Sequence, residues 1–434
     1  MNRLLFLGLL IYLIALMGLA SLNGGILALT IPLLLFVGAS LLYGPEQPDI
    51  SISRQLSTDR AKENALVQVT VTVKNEGGRL ELAHIKDAPP RKLALIEGET
   101  DLLTTLNPGQ TVTLEYTLQG QRGRYEFGNV HIRTADYFRL FKRDFSLEAD
   151  SEASMVDLFI YPEVYRIQRI PIRPRQTKAY AGPIPARIGG TGTDFFGVRH
   201  YQPGDSLRHI NWRANARHAG TFFTNEYEQE RVADVGIILD ARQRSNIQLG
   251  DESLFEHTIQ AAATLASSFL GDGNRVALLR YGDFLDWTVP GYGRIQQERI
   301  LQSLARAQTG DSLVFDQLEN LPARLFPAKS QLVLVSPMVM DDAPFLPRLL
   351  ARGYSLLVVS PNPVSFEAGL LQKNELVDTA VRIARIERAL LINKLRQAGI
   401  QVFDWDVRIP FDRALGANMA YMRPVVHSSI SIVR

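Results

Sequence analysis

The sequence predicts a membrane-anchored multidomain chain: an N-terminal transmembrane helical hairpin, an immunoglobulin-like β-sandwich, and a doubly wound α/β domain. Three observations predict it. Two uncharged apolar runs open the chain, strict period-two alternation follows, and in the second half apolar strands alternate with helix-spaced segments.

The apolar runs extend from Leu4 to Leu22 and from Ile26 to Leu42. A helix rises about 1.5 Å per residue and a bilayer core is roughly 30 Å thick, so each run is expected to cross, with Asn23, Gly24 and Gly25 as the hairpin tip. Pro32 is tolerated in such a helix. Arg3 on one side and Arg54, Arg60 and Lys62 on the other put both flanks in the cytoplasm, the bulk of the chain with them, at the inner (cell) membrane. The competing reading is a signal peptide with Leu19, Ala20 and Ser21 near its cleavage site; it leaves the bulk on the same side. Membrane lipid is thus one expected partner, met through the hairpin. Residues 1–45 form this unit.

After Gly44, Pro45 and Pro48, the side chains of Val67, Val69, Val71 and Val73 alternate with Gln68, Thr70 and Thr72, the signature of a half-buried strand. Asn75–Gly78 and Asn107–Gly109 are turn chemistry, and Val112, Leu114, Tyr116 and Leu118 alternate again. Short strands near Tyr125 and Val130 complete a sandwich over residues 46–165. From Asp234 the pattern changes. Val235–Leu239 reads as a buried strand, and Phe255, Ile259, Ala262, Ala266 and Phe269 recur at helical spacing. Val276–Tyr281, Leu332–Val335, Leu356–Val359 and Ile400–Phe403 continue the strands, and a long helix over Asp378–Gln397 closes at Gly399. Right-handed crossovers make this a doubly wound sheet over residues 233–410, with residues 411–434 as a tail. Ligands in such folds meet the carboxyl ends of strands, which singles out Asp240.

Composition limits the chemistry. With no cysteine, disulfides, thiolate metal sites and cysteine nucleophiles are excluded, a transglutaminase-like hydrolase among them. The net charge of +2 argues against nucleic acid as a partner. There is no Gly-x-x-x-x-Gly-Lys loop, no Gly-x-Ser-x-Gly elbow and no His-Glu-x-x-His. The run Gly189–Gly197 lacks a following lysine and reads as a turn. His200, His209 and His218 recur at a step that matches neither strand nor helix, and they read as surface or satisfied histidines. No enzymatic activity and no cofactor are expected.

Residues 166–232 form a basic linker. From Arg166 to Arg217 it holds Arg166, Arg169, Arg173, Arg175, Lys178, Arg187, Arg199, Arg208, Arg213 and Arg217 against Asp194 and Asp205. Such a stretch seeks an acidic surface. It also holds Gly189-Gly190-Thr191-Gly192-Thr193-Asp194-Phe195 and then Tyr201-Gln202-Pro203-Gly204-Asp205-Ser206-Leu207-Arg208-His209-Ile210-Asn211-Trp212-Arg213-Ala214-Asn215-Ala216-Arg217. Pro203-Gly204 is a turn pair, and Asp205 is placed to cap the next helical turn. Leu207 and Ile210 are expected to pack inward, with Trp212 buried against the sheet domain. Two roles are open for the motif: it locks the linker onto that domain, or it presents the arginines to a partner.

With that motif, the hairpin and Arg122-Gly123-Arg124-Tyr125, the chain resembles the domain of unknown function 58 family. Asp194 stands where that family usually has Glu, and Asp136-Tyr137-Phe138-Arg139-Leu140-Phe141 departs from its Asp-Pro-Phe-Gly-Leu-Phe. The resemblance implies that the last domain is similar to the von Willebrand factor A type. Metal-binding members of that type place Asp-x-Ser-x-Ser after the first strand. Here Asp240-Ala241-Arg242-Gln243-Arg244 puts two arginines at the serine positions, where magnesium needs oxygen ligands, and no metal is expected. Asp240 would instead pair with a nearby arginine or cap a turn. The resemblance also implies a cytoplasmic MoxR-type AAA+ ATPase as partner. The function expected is that of a membrane-anchored, non-enzymatic adaptor in protein maturation or envelope processes. A metal-dependent adhesion module, or a component of a membrane-bound hydrolase system, are the alternatives.

Overall fold

A computed structural model describes residues 3–42, 49–135, 142–147, 157–168, 170, 172, 178–218, 220–250, 252–282, 285–312, 318, 321–372 and 374–418. The chain divides into two compact units, Met1–Tyr161 and Pro162–Arg434. The residue 136–141 turn, the residue 44–48 linker and the tail beyond 418 lie outside the described residues.

The expected transmembrane hairpin and the membrane localisation built on it are overturned. No helix among the described residues is long and apolar enough to cross a membrane. Helix α1 (Arg3–Ala20) has 18 residues and spans about 27 Å, short of a bilayer core of roughly 30 Å. Asn23 then caps a new helix by accepting a hydrogen bond from the Gly25 amide at 2.9 Å, so Gly24 and Gly25 are helical rather than the tip. That helix, α2 (Gly24–Ala28), stops at Leu29, and α3 (Thr30–Leu42) has only 13 residues. The second apolar run is therefore two short helices.

The sandwich forms from the alternating segments. Strands β1 (Ile50–Leu56), β3 (Val67–Asn75), β5 (Ala94–Gly98) and β7 (Thr111–Gln119) make one sheet in the order β1-β3-β7-β5; β2 is Arg60–Lys62. In β3 the four valines are buried in alternation, as period-two patterning requires. Strands β4 (Leu80–Lys86), β6 (Asp101–Leu106), β9 (Val130–Ala135) and β10 (Lys142–Leu147) form the second sheet, while β8 (Gly123–Glu126) and β11 (Asp157–Tyr161) make a third with β2. Arg54, read from sequence as a cytoplasmic flank charge, is in fact inside this sandwich. Its guanidinium pairs with buried Asp87 at 2.6 Å, and the Tyr116 hydroxyl donates to the same carboxylate at 2.6 Å. Burial and the Asp87 charge push the Tyr116 phenol well above its ordinary value.

In the second unit, β12 (Lys178–His200) and β13 (Phe223–Val232) pair antiparallel with register shifts, so the stretch Gly189–Gly197 belongs to a ribbon. The short helix α4 (Trp212–Asn215) lies between them. Next come β14 (Asp234–Asp240), the two-residue strands β15 (Gln248–Leu249) and β16 (Glu252–Ser253), and α5 (Leu254–Gly271). Then follow β17 (Arg275–Tyr281), β18 (Leu285–Gly291), α6 (Gly293–Ala305), β19 (Gln331–Val335), α7 (Leu346–Ala351) and β20 (Ser355–Pro361). Helices α8 (Pro363–Leu370) and α9 (Glu375–Gln397), strand β21 (Gln401–Trp405) and α10 (Phe411–Asn418) complete it. The six-stranded sheet runs β18-β17-β14-β19-β20-β21, all parallel except β18 at the edge. One buried cluster includes α5 and the other includes Leu391, Ile392 and Leu395 of α9, so both sheet faces are covered, as a doubly wound fold demands.

Candidate functional site

The family-motif residues fold into a cap between the two strands of the β12–β13 ribbon. Gln202 to Asp205 closes as a turn through the Asp205 amide, which donates to the Gln202 carbonyl at 3.0 Å. Pro203 and Gly204 hold its central positions, and Gly204 has φ of +109°, which a side chain would resist. Asp205 does not cap a helix as expected. Its carboxylate accepts two hydrogen bonds from Arg199, at 2.8 and 2.7 Å, and one from the Gln202 amide at 2.9 Å. Those bonds hold Asp205 below the usual carboxylate range, Arg199 contributing most. The Tyr201 hydroxyl lies 3.5 Å from the Asp205 carbonyl.

The cap on the next turn is Asn211, whose side chain accepts from the Ala214 amide at 2.9 Å and donates to Asn225 of β13 at 2.8 Å. The Asn215 side chain accepts from the Phe223 amide at 2.6 Å. Ala216 ends α4 as its C-cap. Ile210 is buried, and the Thr224 hydroxyl donates to the His209 carbonyl at 3.2 Å. The backbone and these small polar groups therefore anchor the motif, which leaves its large side chains outside. Trp212 is 69% exposed and Leu207 70%, so the expected burial of both is corrected. Phe222, ten residues after Trp212, is exposed as well. Arg208, Arg213 and Arg217 are exposed, and among the described residues none is in an ion pair. His200 and His218 both meet the Phe223 ring in tilted contacts, with centroids 4.8 and 5.5 Å away, and His209 meets Tyr227 edge-on at 5.0 Å.

The second arrangement lies at the carboxyl ends of β14 and β19. The Arg242 guanidinium sits between two buried carboxylates. It donates to Asp240 at 2.8 and 2.7 Å and to Asp342 at 2.9 and 2.8 Å. Ser336 donates to Asp240 at 2.6 Å, and Arg244 lies 3.5 Å from Asp342. Burial alone would lower the Arg242 pKa, but hydrogen bonds and charge from both aspartates outweigh it and raise it further. Two negative and two positive charges balance, with a fixed cation where the strand ends converge. Among the described residues no group of three His, Asp or Glu side chains could hold a metal ion. A cleft of about 410 Å³ near Asn362, Arg385 and Asp406 has its carboxylates already paired, Asp404 with Arg388 and Asp406 with Arg408.

Sequence reasoning picked out Asp240 and the motif arginines, counted Arg199 among the basic residues and Asn211 and Asn215 within the motif without giving them a role, and did not bring Ser336 or Asp342 to the Asp240 site. Asn211 carried an N-cap signal, since it precedes the short helix Trp212–Asn215, whereas Asn215 at the end of that helix carried none. Asp342 carried none, because the fold brings it to Arg242 across a hundred residues.

By fold, this chain combines a β-sandwich with a doubly wound α/β domain preceded by a capped basic ribbon. Residues 197–361 match the family described as "Protein of unknown function DUF58". The uncharacterized protein YeaD of Bacillus subtilis (strain 168) is 24% identical over 257 residues, which are 58% of this chain and 60% of that protein. The chain thus spans less than two thirds of that relative. Among solved structures, the CARDB domain of a Pyrococcus furiosus protein in complex with di-metal ions matches at 18% identity and a TM-score of 0.19, covering 26% of this chain and 90% of that one. The β-glucosidase EmGH1 from Erythrobacter marinus matches at 16% identity and a TM-score of 0.15, covering 23% and 15%. Likenesses at those scores carry no argument about this chain.

Proposed function

We propose that this protein is a non-enzymatic adaptor that binds an acidic surface of a partner protein through the cap at residues 201–222. The observation that carries the reading is the exposure of Arg208, Arg213 and Arg217 together with Trp212. Arginine and tryptophan are the side chains most enriched at protein-binding hot spots, and an exposed tryptophan in a rigid frame loses little entropy on docking. The partner class implied by the domain of unknown function 58 resemblance is a MoxR-type AAA+ ATPase, in a role in protein maturation. A von Willebrand factor A-like reading of the last domain is supported by its strand order and single antiparallel edge strand. The metal-dependent adhesion alternative is disfavoured, because Arg242 fills the space between the two carboxylates that a cation would need.

The test is the double variant Arg208→Glu/Arg213→Glu in the full chain. Binding to a purified AAA+ ATPase of this type should slow and weaken, and wild-type affinity should fall as salt rises. The melting temperature should stay within about 2 °C, because exposed charges contribute little to stability. Unchanged binding would refute the reading, and a collapsed melt would mean that the arginines hold the fold.

A further inference from the structure

Helix α9 is 23 residues long, yet its buried residues are Arg388, Leu391, Ile392 and Leu395, all in its C-terminal half. The half from Glu375 to Glu387 buries no side chain. It is nonetheless built to persist as a helix. The Asn374 side chain accepts from the Val377 amide at 2.8 Å, and Glu375 and Asp378 place negative charge in the first turn.

Its outward face carries large apolar groups in order. Leu376, Ile383 and Leu390 follow one another at seven-residue steps, and Ile386 stands three after Ile383. They are 83%, 55%, 60% and 62% exposed respectively. Leu376, Ile383 and Leu390 take the a positions of a left-handed coiled-coil seam of about two heptads, with Ile386 at the central d position and the polar Thr379 and Asn393 at the outer two. The positions flanking the seam are Ala380 and Arg382, then Glu387 and Ala389. The alanines permit close approach of a second helix. Neither Arg382 nor Glu387 is in an ion pair with a described residue.

We propose that this face is where two copies of the chain meet, as a parallel, two-fold symmetric helix pair. The charges select both occupant and direction. In a parallel pair a g position lies beside the e position five residues further along the other helix, and Arg382 and Glu387 have that offset. The two-fold axis makes the contact twice. In the antiparallel pair g meets g and e meets e; with Ile383 set against Ile386 of the other helix, Arg382 would face Ala389 and Glu387 would face Ala380, so neither ion pair would form. With only two heptads the association is weak, in the micromolar range.

The experiment is sedimentation equilibrium of the full chain at roughly 10–100 µM. Wild type should show a reversible monomer–dimer equilibrium. Ile383→Glu/Ile386→Glu should weaken it roughly a hundredfold or abolish it, with unchanged circular dichroism. Arg382→Glu alone and Glu387→Arg alone should each weaken it by roughly tenfold. The double reversal, Arg382→Glu/Glu387→Arg, should restore it, and the two single variants mixed together should form a heterodimer. A wild type that stays monomeric over this range overturns the proposal and leaves the face to another protein or to the chain's own tail. Dimerisation indifferent to the charge reversals overturns it as well. Neither outcome bears on the basic cap.

Discussion

At Arg242 a single guanidinium bridges two buried carboxylates at the strand ends, with two hydrogen bonds to Asp240 and two to Asp342. Arg242→Ala should cost about 3 kcal/mol or more, since removing one partner leaves buried charge uncompensated. Urea unfolding would read it, and a midpoint close to wild type would show that Arg244 alone suffices. His257 offers a second residue-scale test. Burial against Trp405 and Phe366 holds it below its ordinary value, with Glu252 and Glu256 pulling the other way. Its unfolded value is about 6.5, so as pH falls below that the unfolded chain binds the proton first, and stability drops until the folded value is reached. His257→Phe should flatten that slope in melting temperatures taken between about pH 7.5 and 5. The histidine was visible in the sequence as part of a helix. Its burial was not, because the two aromatic rings against it come from α8 and β21.

Among elements, β14 was legible from its unbroken apolar run, which only a strand covered on both faces requires. Gly236 within it was not legible as a constraint. A Cβ there would stand 2.4 Å from a Phe326 ring carbon and 2.9 Å from Leu332. Gly236→Ala should therefore destabilise the second unit by roughly 1–3 kcal/mol, measured by thermal or urea unfolding. A neutral substitution would mean that the Phe326 loop yields freely. The N-terminal helices show the opposite limit of element reading. Apolar content announced two long helices, but helix ends are set by caps and local hydrogen bonds: Asn23 starts a short helix ahead of the second run, and the break at Leu29 divides that run.

On the scale of the whole molecule, each unit encloses its own apolar cluster, the sandwich around Val69, Ile85 and Leu118 and the α/β domain on both sides of its sheet. Residues 49–161 and 162–434 should each fold when expressed alone. The full chain should then unfold in two transitions by calorimetry, each matching one fragment. A single transition whose calorimetric and van't Hoff enthalpies agree would contradict this.

What the sequence alone determined is whatever local periodicity encodes: the alternating strands of the sandwich, the βα order of the second half, and the turn at Pro203-Gly204. Each depends on neighbours within a few residues, so spacing reveals it. The tertiary structure alone decided the partners of charged and aromatic groups. Arg54 is buried because Asp87 and Tyr116 meet it, Arg242 because Asp342 arrives from a distant loop, and Trp212 is exposed because asparagine side chains already anchor its turn. A charge is buried or exposed according to whether the fold supplies a counter-charge, and contacts made across tens of residues leave no period to read.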